Sequence, residues 1–293
     1  MLLAPHLVPA FGALALAVLL LWVPAPAVRG NRDWAWCAGL AVACAAGLAS
    51  GVLDWRGVVA TAGYAALAFA ARASTRAWLR IPLLVLTGLA AFLFALHRFP
   101  GFHNPVLADA VRVSAGAAPF TLHANFDTAV AGIVLMGVFC APIRERGAWL
   151  PMLRCTAPVL FATLVVVFGA GTALGYVRPD VKWTPLTPWF LALNLLFTCV
   201  TEEAFFRGFI LGGLARGLAR RRYGTGVAVV VSTVLFGLAH ARGGPALVVL
   251  AGLAGLGYAA AYLRSGRIEG AILTHFALNA VHFVAFTYPA LLH

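Results

Sequence analysis

The sequence predicts an all-α fold, a polytopic transmembrane helical bundle of about ten spans, and two observations carry that prediction. Hydrophobic residues make up 62% of the 293 residues and charged ones only 10%, whereas ordinary globular domains are roughly 45–50% apolar and about 25% charged. The apolar residues are also gathered into runs separated by charged or Pro-containing clusters. A helix rises 1.5 Å per residue and must cover ~30 Å of hydrocarbon, so each span needs about 20 such residues. Runs of this kind lie near 4–23, 35–53, 57–71, 79–96, 127–143, 156–175, 188–214, 226–241, 245–263 and 268–291. The third and eighth are the shortest.

A formal charge of +12 would suggest nucleic-acid binding in a soluble protein. Here the basic residues sit in short loops between apolar runs and read as topology signals, so the expected partner is the lipid bilayer and not nucleic acid. The odd-numbered connections hold fourteen of the 21 basic residues, beginning with Arg29 and Arg32 and including Arg216, Arg220, Arg221 and Arg222. The even-numbered ones hold six, and Arg207 falls inside the seventh run. This bias predicts a multi-pass protein of the cell (inner) membrane with both termini outside the cytoplasm. No Lys or Arg precedes Arg29, so the first run lacks the basic start of a cleavable signal and reads as a retained span.

The connection from His97 to Phe126 is rich in Pro, Gly and His, and its apolar patch at Pro105 to Val113 is expected to form a surface helix or lid. It divides an N-terminal transmembrane region of four runs, 1–126, from a C-terminal part of six, 127–293. The five cysteines show no CxxC pair and are read as packing residues.

An ionisable group at mid-bilayer costs about 2.5–3.5 kcal/mol on insertion scales, so its presence implies a partner or a task. The first four runs hold none in an apolar interior. The seventh contains Glu202, Glu203 and Arg207, the eighth ends at His240, and the tenth holds His275, Asn279 and His282. Residues three or four apart share a helix face, so Glu203 can pair with Arg207 and His275 lies above Asn279. Asn194, Thr198, Thr201 and Glu202 form a polar stripe expected to face protein or trapped water. An ion pair that only locks the helix accounts for Glu203 and Arg207. It leaves Glu202, whose neighbouring carboxylate opposes its ionisation, poised as a proton acceptor. His282 reads as a packing histidine.

Three short patterns now stand in order, one in each of three apolar runs: Glu202-Glu203-Ala-Phe-Phe-Arg207 (EExxxR), Phe236-Gly-Leu-Ala-His240 (FxxxH) and His275-Phe-Ala-Leu-Asn279 (HxxxN). Together they resemble the CPBP or ABI family of intramembrane proteases, which includes the type II CAAX prenyl endopeptidases and the bacteriocin-processing and immunity-related proteins. Each pattern alone is weak, and the ordered set is specific. The resemblance covers 127–293 and implies an endopeptidase that cleaves a peptide or membrane-associated protein substrate near the membrane surface. It further implies that Glu202 with His240 activates a water and that His275 with Asn279 steadies the oxyanion. Glu203 and Arg207 would hold the helix as an ion pair, and Phe236 would pack the pocket wall. Amide hydrolysis needs such a base and such donors.

A metalloprotease-like variant stays open, with zinc held by Glu202, His240 and His275 and water in the fourth position. The chain has no HExxH, and metal-free hydrolysis is the preferred reading. Two rivals use similar residues: a proton-coupled membrane transporter and a non-catalytic bacteriocin-immunity protein. The first four runs contain nothing that mirrors the motif-bearing ones, which disfavours the transporter. No motif residue is missing, which disfavours the inactive protein.

Overall fold

A computed structural model describes residues 3–23 and 34–292, so the connection carrying Arg29 and Arg32 lies outside the described residues. A helix occupies each of the ten predicted runs: α1 (Val8–Leu19), α2 (Trp34–Ser50), α3 (Trp55–Ala73), α4 (Ala77–Ala95), α5 (Phe126–Phe139), α6 (Trp149–Ala173), α7 (Thr187–Gly217), α8 (Gly224–Ala239), α9 (Gly244–Ser265) and α10 (Ile268–Ala285). Among the described residues, six helices are long and apolar enough to cross a membrane, those built on α1, α4, α6, α7, α9 and α10. The chain is therefore a multi-pass, all-α membrane protein, in which six of the ten predicted spans meet that length and hydropathy among the described residues. Helix α5 has 14 residues and α8 has 16, and at 1.5 Å per residue α5 covers only ~21 Å. It stops at Phe139 instead of residue 143 because Pro142 follows closely and disfavours helical backbone before it. Along α4 the exposed Trp78, Ile81, Val85 and Leu89 fall three or four apart, an apolar stripe that lipid accepts and water does not.

The chain forms two compact units. The first comprises Met1–Leu107, His123–Arg144 and Leu196–Phe205. Its hub is α5, buried nearly all round from Phe126 to Val138, as a helix apolar on every face must be. Small residues let neighbours approach: a Cβ on Gly137 would stand 2.3 Å from the Trp36 ring, and one on Gly132 2.1 Å from Thr201 Oγ1. Tyr64 of α3 donates its hydroxyl to the Ala131 carbonyl at 3.3 Å.

The N-terminal end of α5, where unpaired N–H groups favour negative charge, holds the buried Asp127. Asn104 Nδ2 donates to its carboxylate at 2.8 Å and His97 Nδ1 lies 2.8 Å away, while the Phe126 N–H donates to Asn104 Oδ1. The hydrogen bond to Asp127 raises the His97 pKa above its ordinary 6.5 against an opposing effect of burial. Because the folded value is raised, the pair's stabilisation is complete below the unfolded pKa and is lost as pH rises through the folded one. Unfolding curves taken across neutral pH are expected to show that loss in the native protein. The His97→Gln variant should lack it, and identical pH profiles would contradict the assignment. His97 is half-exposed, so the effect is modest.

The second unit comprises Ala108–Leu122, Glu145–Leu195 and Phe206–His293. Here α6, α8, α9 and α10 pack through small residues, as membrane helices do. A Cβ on Gly257 of α9 would meet Thr163 of α6 at 2.2 Å, and one on Gly237 of α8 would meet the Val248 carbonyl at 2.9 Å. Helix α6 begins at Trp149, seven residues before the expected start, so Arg154 rides on its first turns. The apolar patch predicted as a surface helix or lid is instead a strand, Val106–Val111, paired with Phe120–His123. Pro105 and the β-branched Val106 and Val111 favour extended backbone. Helix α10 ends at Ala285, short of residue 291, and Pro289 again lies just beyond. The tail then runs extended, with Leu291 N–H donating to the Tyr176 carbonyl and Leu292 N–H to that of Gly116.

Candidate active site

Helix α7 carries the first pattern and is not uniform. It is π-helical over Asn194–Cys199 and Ala204–Leu211, on either side of an α-helical turn at Val200–Glu203. Such i→i+5 stretches are rare and cluster at functional sites. The extra residue per turn alters the register on which the predicted polar stripe depends. Asn194 bonds within the second unit, accepting from Asn279 Nδ2 at 3.2 Å. Thr201 bonds within the first, donating to the Thr128 carbonyl at 3.0 Å. The stripe is thus divided between two environments.

Glu202 and Glu203 belong to the first unit. Their turn is pinned against α5 through Thr201 and the cleft at Gly132. Glu203 is fully buried, as are Cys199 and Val200, and Glu202 is half-buried. A carboxyl group so placed in an apolar helix requires partners within the protein, because burying it without them is costly.

The other five predicted residues belong to the second unit. Arg207, fully buried, donates through Nη2 to the Gly255 carbonyl of α9 at 2.9 Å. Its guanidinium lies 4.5 Å from the Phe236 ring centroid and 5.1 Å from that of Tyr258. Gly255 permits this, because a Cβ there would stand 3.0 Å from Phe236 and 3.1 Å from Arg207 Nη2. Phe236 in turn is in contact with both histidines, its ring centroid 4.8 Å from that of His240 and 5.8 Å from that of His275.

His240 lies at the C-terminal end of α8, where the helix has just run out. Its Nδ1 is 2.9 Å from the Phe236 carbonyl. A carbonyl only accepts, so Nδ1 carries the proton, and in the matching neutral tautomer Nε2 is the acceptor. His275 is almost fully buried, its ring stacked on Tyr258 at 4.5 Å with 16° between planes. Asn279, one turn further along α10, makes the bond to Asn194. His282 is not part of this cluster. It packs against Tyr288 and Phe168, as a packing histidine should.

Among the described residues no three His, Cys, Asp or Glu side chains form a group that could hold a metal ion. No step below is routed through a metal. His240 turns one nitrogen back onto its own helix, and His275 is held face-on against Tyr258.

Motif reading passed over Tyr258 and Gly255, which stand outside all three patterns. A signal for Tyr258 was present: it is a lone large polar ring in a stretch of Gly and Ala from Ala251 to Ala261. Glu269, buried at the first turn of α10, was also overlooked because it sits beside a loop in the sequence.

Residues 183–281 match the family model described as type II CAAX prenyl endopeptidase, Rce1-like. The match runs from just before α7 to the second half of α10 and takes in all three patterns. No curated protein and no solved structure matches the chain.

Proposed function

With a type II CAAX prenyl endopeptidase-like segment at 183–281 as premise, we propose that this chain is an intramembrane endopeptidase whose catalytic core lies within 127–293. In this reading Glu202 takes a proton from a water, assisted by His240, and the hydroxide adds to the carbonyl of the scissile peptide. His275 and Asn279 donate to the oxyanion that develops there. The tetrahedral carbon then expels the amine, which leaves with the proton that Glu202 accepted. General-base assistance contributes about 10²–10⁴-fold and a single oxyanion donor about 10²–10³-fold, enough for four side chains to run the reaction without a covalent intermediate. Glu203 and Arg207 keep the helix in register, and Phe236 lines the pocket wall.

One observation carries most weight. Phe236 is in contact with both His240 of α8 and His275 of α10, with ring centroids 4.8 and 5.8 Å apart. The histidine tautomer adds support, since an Nε2 acceptor is the form a water-activating imidazole needs. The substrate we assign is a peptide, or the tail of a membrane-associated protein, reached near the bilayer surface. From the arginine bias we place the chain in the inner membrane with both termini outside the cytoplasm.

Purified protein incubated with a quenched fluorescent CAAX-type peptide is expected to cleave it. Glu202→Ala and His240→Ala should each lose at least about 10²-fold in rate. Cleavage that survives both substitutions would overturn the assignment.

A further inference from the structure

Tyr258 belongs to none of the three patterns, yet a residue of each meets its ring. It is 1% exposed and sits on α9, between the helices that bear the motifs. One contact is a near-parallel stack on the His275 imidazole, 4.5 Å between centroids and 16° between planes. Another is the Arg207 guanidinium, 5.1 Å from the ring centroid. Phe236 meets the ring edge-on at 5.7 Å and meets His275 edge-on at 5.8 Å. The imidazole plane is therefore set by one ring against its face and another at right angles to it.

Position along α9 reinforces the arrangement. Arg207 donates to the carbonyl of Gly255, one turn before Tyr258, so the same guanidinium grips the α9 backbone and one of its side chains. A ring in a close-packed apolar setting has little room to rotate. Stacking of this kind restricts tilt of the imidazole plane. An oxyanion donor must be aimed at where charge develops, and an error of about 1 Å in a reacting group can cost 10²-fold.

We infer that Tyr258 is a positioning residue for His275, holding the imidazole plane through its aromatic face and linking that plane to Arg207. The inference rests on the endopeptidase reading for its kinetic consequence, and on the second unit's packing alone for its structural one. The face of the ring does the work, so Tyr258→Phe should be nearly silent and Tyr258→Leu should not.

The test compares the native protein with Tyr258→Phe and Tyr258→Leu in two readouts. Proton NMR of the histidine side chains in the full-length protein reports the stack directly, because a ring lying over an imidazole shifts its carbon-bound protons upfield. The His275 shift is expected to persist in Tyr258→Phe and to vanish in Tyr258→Leu. His282, packed on Tyr288 and Phe168, should keep its resonances in both and so certifies the fold. In the peptidase assay kcat is expected to fall about 10- to 100-fold in Tyr258→Leu, with KM within about twofold, and to be retained in Tyr258→Phe.

A Tyr258→Leu protein that loses the His275 shift and keeps its kcat overturns the positioning role. So does a Tyr258→Phe protein as impaired as Tyr258→Leu, which would move the effect to the hydroxyl. A Tyr258→Leu protein whose His282 resonances also collapse identifies Tyr258 as a residue of the general fold and overturns the proposal as well. Failure of the endopeptidase reading looks different: the native protein, with the His275 shift in place, cleaves nothing.

Discussion

Gly132→Val should leave little folded protein in the membrane. The added Cβ would stand 2.1 Å from Thr201 Oγ1 and 2.8 Å from the Thr201 Cα. A flexible side-chain end could move aside, but the Cα is backbone, and the hydroxyl is already committed to the Thr128 carbonyl one turn before Gly132. Helix α5 cannot retreat either, since it is buried on nearly every face. Overpacking costs about 1–3 kcal/mol where neighbours can yield and more where they cannot. Taking ~3 kcal/mol or more, and roughly 2–4 °C per kcal/mol for a chain of this size, the melting temperature in detergent is expected to drop by about 10 °C. Gly63→Val on α3 is the matched control, because nothing lies within 4 Å of a Cβ there. Equal melting temperatures for the two variants would contradict the packing described.

Arg207→Met is expected to be the most damaging change in the second unit. Methionine approximates the length of the side chain and fills much of its volume, but it cannot donate to the Gly255 carbonyl and has no charge to place over Phe236 and Tyr258. Hydrogen bonds from charged donors contribute about 1.5–3 kcal/mol, and a desolvated cation over an aromatic ring about 2 kcal/mol. Removing a buried charge also relieves its desolvation cost, so the net loss is set at about 2–4 kcal/mol. Arg207→Lys should rescue only part of it, since a compact, strongly hydrated ammonium cannot reach the Gly255 carbonyl and contact two rings at once as the broader guanidinium does. Thermal melts of the three proteins rank them, and a Lys variant as stable as the native protein would refute the role of the guanidinium.

Much of the architecture was legible because a 20-residue apolar run leaves a helix as the only way to satisfy backbone polar groups in lipid. What failed lay at the ends of runs and between helices. Pro142 lies just past the end of α5, and α10 gives way at Phe286 to extended chain whose Thr287 N–H donates to the Arg178 carbonyl, so hydropathy overshot boundaries set by local backbone and tertiary pairing. The patch at 105–113 was too short for periodicity to separate strand from helix. The two π-helical stretches of α7 leave no mark in a reading that assumes 3.6 residues per turn, and the predicted stripe is divided, with Asn194 and Thr201 bonding in different units. The histidines of the second and third patterns were identifiable by spacing and by family resemblance. Tyr258 was not, because its importance lies in contacts to α8 and α10 that no one-dimensional spacing encodes.

Water activation by Glu202 is tested most directly in purified protein reconstituted into lipid vesicles, with peptide cleavage followed by mass analysis of the products. Gln at position 202 keeps the size and hydrogen-bonding capacity of the side chain but cannot take up a proton. The Glu202→Gln protein is expected to bind the peptide as well as the native protein and to cleave it about 10²–10⁴-fold more slowly. Cleavage at the native rate, at the same peptide bond, would contradict a glutamate-based endopeptidase.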